Sequence, residues 1–212
     1  WMQYLDTPSV TVTDMDELMA SIRFEVEAWE GATVGGSCTD GWDAANVRIS
    51  ADGGETWALL EDPMNPYHFD CGYGWIYNDG EYETGGSLNQ VAAGWGGSSG
   101  GWLDFRADLS AYAGQDVIIR FAFGSDPAYS TIDQDDMTGF QVDNIYVGTF
   151  HDDADNSENN NSMIPSGEVW EGMFYDYFSC EDERPGACGA WEQYIPGLAF
   201  NGNAYHDISH LA

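Results

Sequence analysis

The stretch LMASIRFEVEAW, Leu18–Trp29, decides what kind of fold this chain can adopt. It is long enough for a helix of several turns or for one long strand. Ile22, Phe24, Val26 and Ala28 alternate with Arg23, Glu25 and Glu27. Side chains two apart share one face of a strand, whereas a helix needs its apolar residues three and four apart. The period of two therefore predicts a half-buried β-strand.

The same pattern recurs outward from this stretch. LDTPSVTV (Leu5–Val12) precedes it as a first strand containing a proline. NVRIS (Asn46–Ser50) and ETWALL (Glu55–Leu60) flank Asp52-Gly53-Gly54. Asp-Gly between alternating runs predicts a tight hairpin, because the turn needs positive φ and glycine accepts it without a Cβ clash. VIIRFAF (Val117–Phe123) is β-branched and aromatic throughout, as a central strand is. GFQVDNIYVGTF (Gly139–Phe150) alternates again and closes the unit. Between these lies Glu61–Gly101, with Pro63, Pro66, Cys71 and the run AGWGGSSGGW (Ala93–Trp102). Its tryptophans and tyrosines carry too much apolar surface for a flexible linker, so packed loops tied by a disulfide are expected.

The chain has 212 residues, 43% of them hydrophobic, enough for a substantial core. It has 37 acidic residues against 5 basic ones, a formal net charge of -32. Such a surface repels nucleic acid and anionic membranes, and favours divalent cations, basic partners or concentrated salt. No run approaches the roughly 20 apolar residues that span a bilayer as a helix, so membrane insertion is not expected. No basic leader is present, so any signal peptide is expected to have been removed. The cysteines Cys38, Cys71, Cys180 and Cys188 allow three pairings; joining sequence neighbours, Cys38–Cys71 and Cys180–Cys188, closes one loop in each half. Disulfide-compatible cysteines and scarce basic residues point outside the cytoplasm.

Residues 1–150 are expected to form the main unit. Residues 151–163, HDDADNSENNNSM, read as a polar loop or boundary. Asn160-Asn161-Ser162 within it matches a glycosylation acceptor. Residues 164–212 form an extension in which DISHLA (Asp207–Ala212) echoes DLSAYA (Asp108–Ala113), so this part is expected to begin a second, similar unit.

LDTPSVTV, IRFEVEAW, DGWDAANVRISADGGETWALL, GWLDFRADLSAYAGQDVIIRFAFGSD and GFQVDNIYV stand in one order. That series resembles the MAM-like jelly-roll domain of immune-inhibitor-A-type secreted metallopeptidases and of cleaved adhesins, over about Leu5–Gly148. The resemblance implies an antiparallel β-sandwich that is non-catalytic, calcium-stabilised and attached to a secreted enzyme or adhesin. It implies that Trp57 returns under the sheet as a core anchor. It also implies calcium ligands at Glu27 or Glu30, at Asp40 or Asp43, and at Asp143, since calcium takes six to eight hard oxygens from converging loops. If Gln141, Asp143 and Ile145 share a face, the Asp143 carboxylate sits beside an apolar neighbour and needs a partner or a metal. DQDD (Asp133–Asp136) is a weaker candidate without the EF-hand spacing.

No catalytic signature competes. HDISH (His206–His210) has the i, i+4 histidines of a zinc-peptidase helix but Asp207 where the base would be Glu. With so many acids, no carboxylate pair is distinctive. There is no nucleophile elbow, phosphate loop or Cys-His pattern. The expectation is a non-catalytic extracellular binding or adhesion module. Trp42, Trp75, Tyr77, Trp95 and Trp102 are candidates to stack on a glycan or grip a protein, against the default of core packing for each. The alternatives are a self-assembling subunit of a surface layer or filament, and an accessory domain of a secreted metallopeptidase.

Overall fold

The structure, a computed structural model, describes residues 2–33, 39–72, 91–125, 137–153, 163–168 and 206–208. In chain order its strands are β1 (Met2–Asp6), β2 (Val10–Thr11), β3 (Glu17–Glu25), β4 (Asp40–Gly41), β5 (Ala44–Ser50), β6 (Ala58–Leu59) and β7 (Cys71–Gly72). They continue with β8 (Leu103–Asp108), β9 (Asp116–Gly124), β10 (Gly139–Val147), β11 (Phe150–Asp152), β12 (Ile164–Glu168) and β13 (His206–Asp207). A 3-10 turn, Ser110–Tyr112, lies between β8 and β9.

Two antiparallel sheets face each other. The first runs β12-β1-β9-β5-β6, with β2 continuing the line of β1 along β9; the second runs β11-β10-β3-β8, with β13 also on β10. A short parallel pair, β4 with β7, stands apart. Leu18–Trp29 is strand from its start to Glu25, with Leu18, Ala20, Ile22 and Phe24 turned inward. These meet Leu5, Val47, Ile49, Ile119, Phe121 and Phe123 of the first sheet in one core. VIIRFAF lies in the middle of the first sheet, as its composition predicts.

Pro8 divides the first strand, since it has no N–H to donate to the ladder. Thr7 repairs the gap: its N–H donates to the Ile119 carbonyl (2.9 Å) and its hydroxyl accepts the Ile119 N–H (3.0 Å). The Asp-Gly-Gly hairpin is present but is not tight. β5 and β6 pair only at Arg48–Leu59 and Ile49–Ala58, so residues 51–57 form a wide loop. Asp52 organises it, accepting the Ser50 hydroxyl (2.7 Å) and the Thr56 N–H (2.9 Å), while Gly53 and Gly54 take φ of 77° and 96°. Trp57 is not the core anchor expected from the resemblance. Its ring lies on the outward side of the first sheet, 3.9 Å from the Arg120 guanidinium carbon. Arg120 is held between Trp57 and Tyr4 (4.2 Å) and grips Asp6 with two bonds of 2.7 and 2.8 Å.

The glycine-rich run packs, as expected. Ala45 and Trp95 exchange backbone bonds (3.0 and 2.8 Å), and Val26 and Glu27 bond Gly97 (2.9 and 2.8 Å). Residues 94–99 thus bridge the two sheets. A Cβ on Gly94 would stand 2.9 Å from that of Ala44, which explains the glycine.

The described parts of the extension add to these same two sheets. β12 pairs β1 over its whole length, β13 pairs β10 at Gln141 and Val142, and Ile208 is fully buried in the shared core. Asp108 and Asp207 each end a strand of the second sheet, and Leu109 and Ile208 after them are buried; the rest of DISHLA lies outside the described residues.

Candidate functional site

The calcium candidates divide between two places. Glu27 and Asp43 meet at one end of the sandwich, where the Glu27 N–H donates to Asp43 Oδ2 (3.4 Å). Asp43 is buried; Asp40 stands three residues before it in β4, and Glu30 is exposed. Asp143 is elsewhere. It pairs with Ser21, and from Ser21 the chain stays extended through Glu25 toward Glu27. Ser21 to Glu25 alone spans about 13 Å. One ion therefore cannot join Asp143 to Glu27. Among the described residues, no three His, Cys, Asp or Glu side chains converge as a metal group. Glu27 and Asp43 carry the hard carboxylate oxygens that calcium takes, but they are two ligands of the six to eight it needs; Asp143 lies away from them.

The premise about Asp143 also changes. The register against β3 slips by one residue between Asp143 and Tyr146, a bulge at Asn144, which has a φ of 50°. The bulge reverses the alternation, so Ile145 turns into the core while Asp143 stays outward. Asp143 accepts the Asn144 N–H (2.7 Å) and its side-chain amide (3.0 Å).

The aromatic candidates separate by burial. Trp95 is 1% exposed. It stacks on Phe24, meets Phe105 edge-on, and donates its indole N–H toward the Asn65 and Pro66 carbonyls (3.1 and 3.2 Å). A ring enclosed in this way cannot meet a ligand, so Trp95 is corrected from ligand contact to core. Trp42 is half-buried against a smaller cluster of Met2, Tyr4, Ala44, Phe69 and Cys71. Trp102, just before β8, is 43% exposed. Trp75 and Tyr77 lie outside the described residues, as do Cys38, Cys180, Cys188, Asp133–Asp136, Asn160-Asn161-Ser162 and His210. Cys71 is fully buried, and no described cysteine is a free thiol. His206 and Asp207 are extended in β13, so the helical spacing of HDISH has no helix beneath it there.

The structure also assembles a row that the sequence did not disclose. On the outward face of the second sheet, Arg106, Met19, Tyr146 and His151 stand side by side across four strands. Tyr146 and His151 are stacked, with ring centroids 4.2 Å apart and planes 13° from parallel. Tyr146 is 39% exposed. Asp104, Ser21 and Asp143 form the next row, with the Asn144 amide 3.4 Å from the Ser21 hydroxyl. The turn Val147-Gly148-Thr149-Phe150 was the available signal: a two-residue hairpin places Tyr146 opposite His151. The row also needed the bulge, whose signal was the shift of the apolar positions from Phe140 and Val142 to Ile145 and Val147 across Asp143-Asn144.

No known family model matches this chain, and no curated protein matches it.

Proposed function

We propose that the chain is a non-catalytic binding or adhesion module of a larger secreted or surface protein, and that the outward face of its second sheet holds a protein or glycan ligand. One observation carries this reading: the exposed Tyr146–His151 stack sits on rigid strands, next to Met19 and flanked by Asp104, Asp143, Asn144 and Arg106. A ring presented this way offers apolar surface at low entropic cost, and the adjacent amide, carboxylates and guanidinium offer directional hydrogen bonds. Trp102, just before β8, is a second exposed aromatic residue. The test is to screen the purified chain against glycans and extracellular proteins, then to measure any binder with Tyr146→Ala and Trp102→Ala. Affinity should fall at least about tenfold in the double variant while the melting temperature holds. A ligand that binds the double variant as well as the parent would sink the assignment to this face.

Two supporting features belong to the same proposal. The Thr39 carbonyl accepts the N–H groups of both Asp70 and Cys71 (3.0 Å each), which places the residue after Cys38 beside Cys71. Cys38 lies outside the described residues and is proposed as the partner of Cys71; a disulfide there would fit an oxidising, extracellular setting. Calcium is assigned to the end where Glu27 and Asp43 meet. Melting with calcium and with chelator checks it: calcium should raise the midpoint, and Asp43→Asn should abolish the increment. An unchanged midpoint in the parent chain removes calcium from the proposal.

A further inference from the structure

Among the described residues β8 is the last strand of the second sheet, and its free side is met by side chains rather than by another strand. In an antiparallel ladder, alternate residues direct both backbone groups away from the paired strand. Asp104 and Arg106 are such residues. The Arg106 N–H donates to Asp62 Oδ2 (3.1 Å), and the Asp104 carbonyl accepts from Asn65 Nδ2 (2.9 Å). These two groups flank Phe105, and they are the donor and acceptor that a next antiparallel strand would engage in one wide hydrogen-bonded ring. Asp62 supplies the acceptor and Asn65 the donor of that missing strand.

The pair is set in advance. The Asp62 carboxylate also accepts the Met64 N–H (2.8 Å) and the Asn65 amide (2.8 Å), and Asp62 itself is buried. Pro63 between them has no N–H to offer an incoming chain. The loop does not need these bonds to stay in place. Leu60 N–H donates to the Val47 carbonyl (2.9 Å), and the Tyr67 hydroxyl donates to the Leu60 carbonyl (2.6 Å), so the loop is fastened to the first sheet on both sides of the turn. Outward from β8, Asp104, Arg106 and Asp108 are all exposed, and charged side chains are the other usual protection of an edge.

We infer that the Asp62–Asn65 turn is an edge guard: it closes the β8 edge against strand addition, and the strand it holds off is that of a second copy of this chain. The inference is independent of the face proposed above to bind ligand. It also bears on the filament alternative, because a guarded edge cannot propagate a sheet from copy to copy.

The test uses the whole chain with Asp62→Ala and Asn65→Ala together, in about 1 M salt, where the Debye length of about 3 Å screens the acidic repulsion between copies. Light scattering after size exclusion should show the double variant associating at least about tenfold more tightly than the parent chain. Adding Arg106→Pro removes the outward N–H without touching the bonds to β3, and should return the protein to monomer. A natively folded double variant that stays monomeric overturns the proposal, as does association that survives Arg106→Pro. Should the double variant fail to fold, hydrogen exchange on the parent chain decides: the Arg106 amide, bonded to Asp62, should be protected as strongly as the β8 amides paired to β3, and a freely exchanging Arg106 amide overturns the proposal.

Discussion

Trp95 shows how one residue can be read for its chemistry and misplaced for its surroundings. A tryptophan among glycines fits a ligand-stacking loop as well as it fits a plug. What decides is that Phe24, Phe105, Phe140 and Tyr67 all stand around it, and these come from distant parts of the chain. Trp95→Ala should destabilise the fold by about 3–5 kcal/mol in urea denaturation, the range for removing a buried large aromatic. Asp52 behaves differently because it is exposed and acts only on its own loop. Hydrogen bonds from the Thr56 hydroxyl and N–H, then from Ser50, lower its pKa from 3.8 to about 2. A depressed carboxylate favours the folded loop above the ordinary value and loses that contribution as pH falls through the folded one. The loop should therefore hold at pH values above 3.8 and come loose on approach to about 2, seen in the Thr56 amide resonance and Trp57 fluorescence. Asp52→Asn should abolish that step.

At the scale of the element, the β10 strand carries the main lesson. Its apolar residues alternate in two phases, Phe140 and Val142 and then Ile145 and Val147, because Asn144 is an extra residue at positive φ and every side chain after it changes face. Asparagine tolerates this conformation better than most residues with a Cβ, and pairing with β3 fixes the bulge at the place where the apolar phase shifts. Asn144→Gly should stay within about 0.5 kcal/mol of the parent chain, while Asn144→Val should cost about 1–2 kcal/mol, both measured by urea denaturation. The β3 strand is the opposite case. Its period of two was enough, because a half-buried strand needs only one apolar face, and that face is present in Ile22, Phe24 and Val26. The hairpin stands between them. Asp52-Gly53-Gly54 reversed the chain as expected, but the loop widened because Asp52 bonds Ser50 and Thr56 instead of closing a two-residue turn.

Over the whole molecule, charge sets the conditions in which the sandwich is stable. With 37 acids against 5 basic residues, all of them arginine, compaction works against long-range repulsion. Raising ionic strength from about 0.01 to 1 M shortens the Debye length from about 30 to 3 Å. The melting temperature should therefore rise steadily with sodium chloride, in calorimetry with chelator present to separate screening from calcium. A midpoint that falls with added salt would mean that attractive pairs such as Arg120 with Asp6 outweigh the repulsion.

Side-chain alternation and β-branching act within a single segment, and they were enough to mark an all-β chain with Leu18–Glu25 and Val117–Phe123 inside sheets. Composition by itself also set the formal net charge of -32. Which aromatics are enclosed and what covers the β8 edge were settled by tertiary packing alone. Each of these depends on groups more than twenty residues apart in the chain meeting in space, as Asn65 meets Asp104 and Trp95 meets Phe24. Burial and pairing are properties of those meetings, and no single segment encodes them.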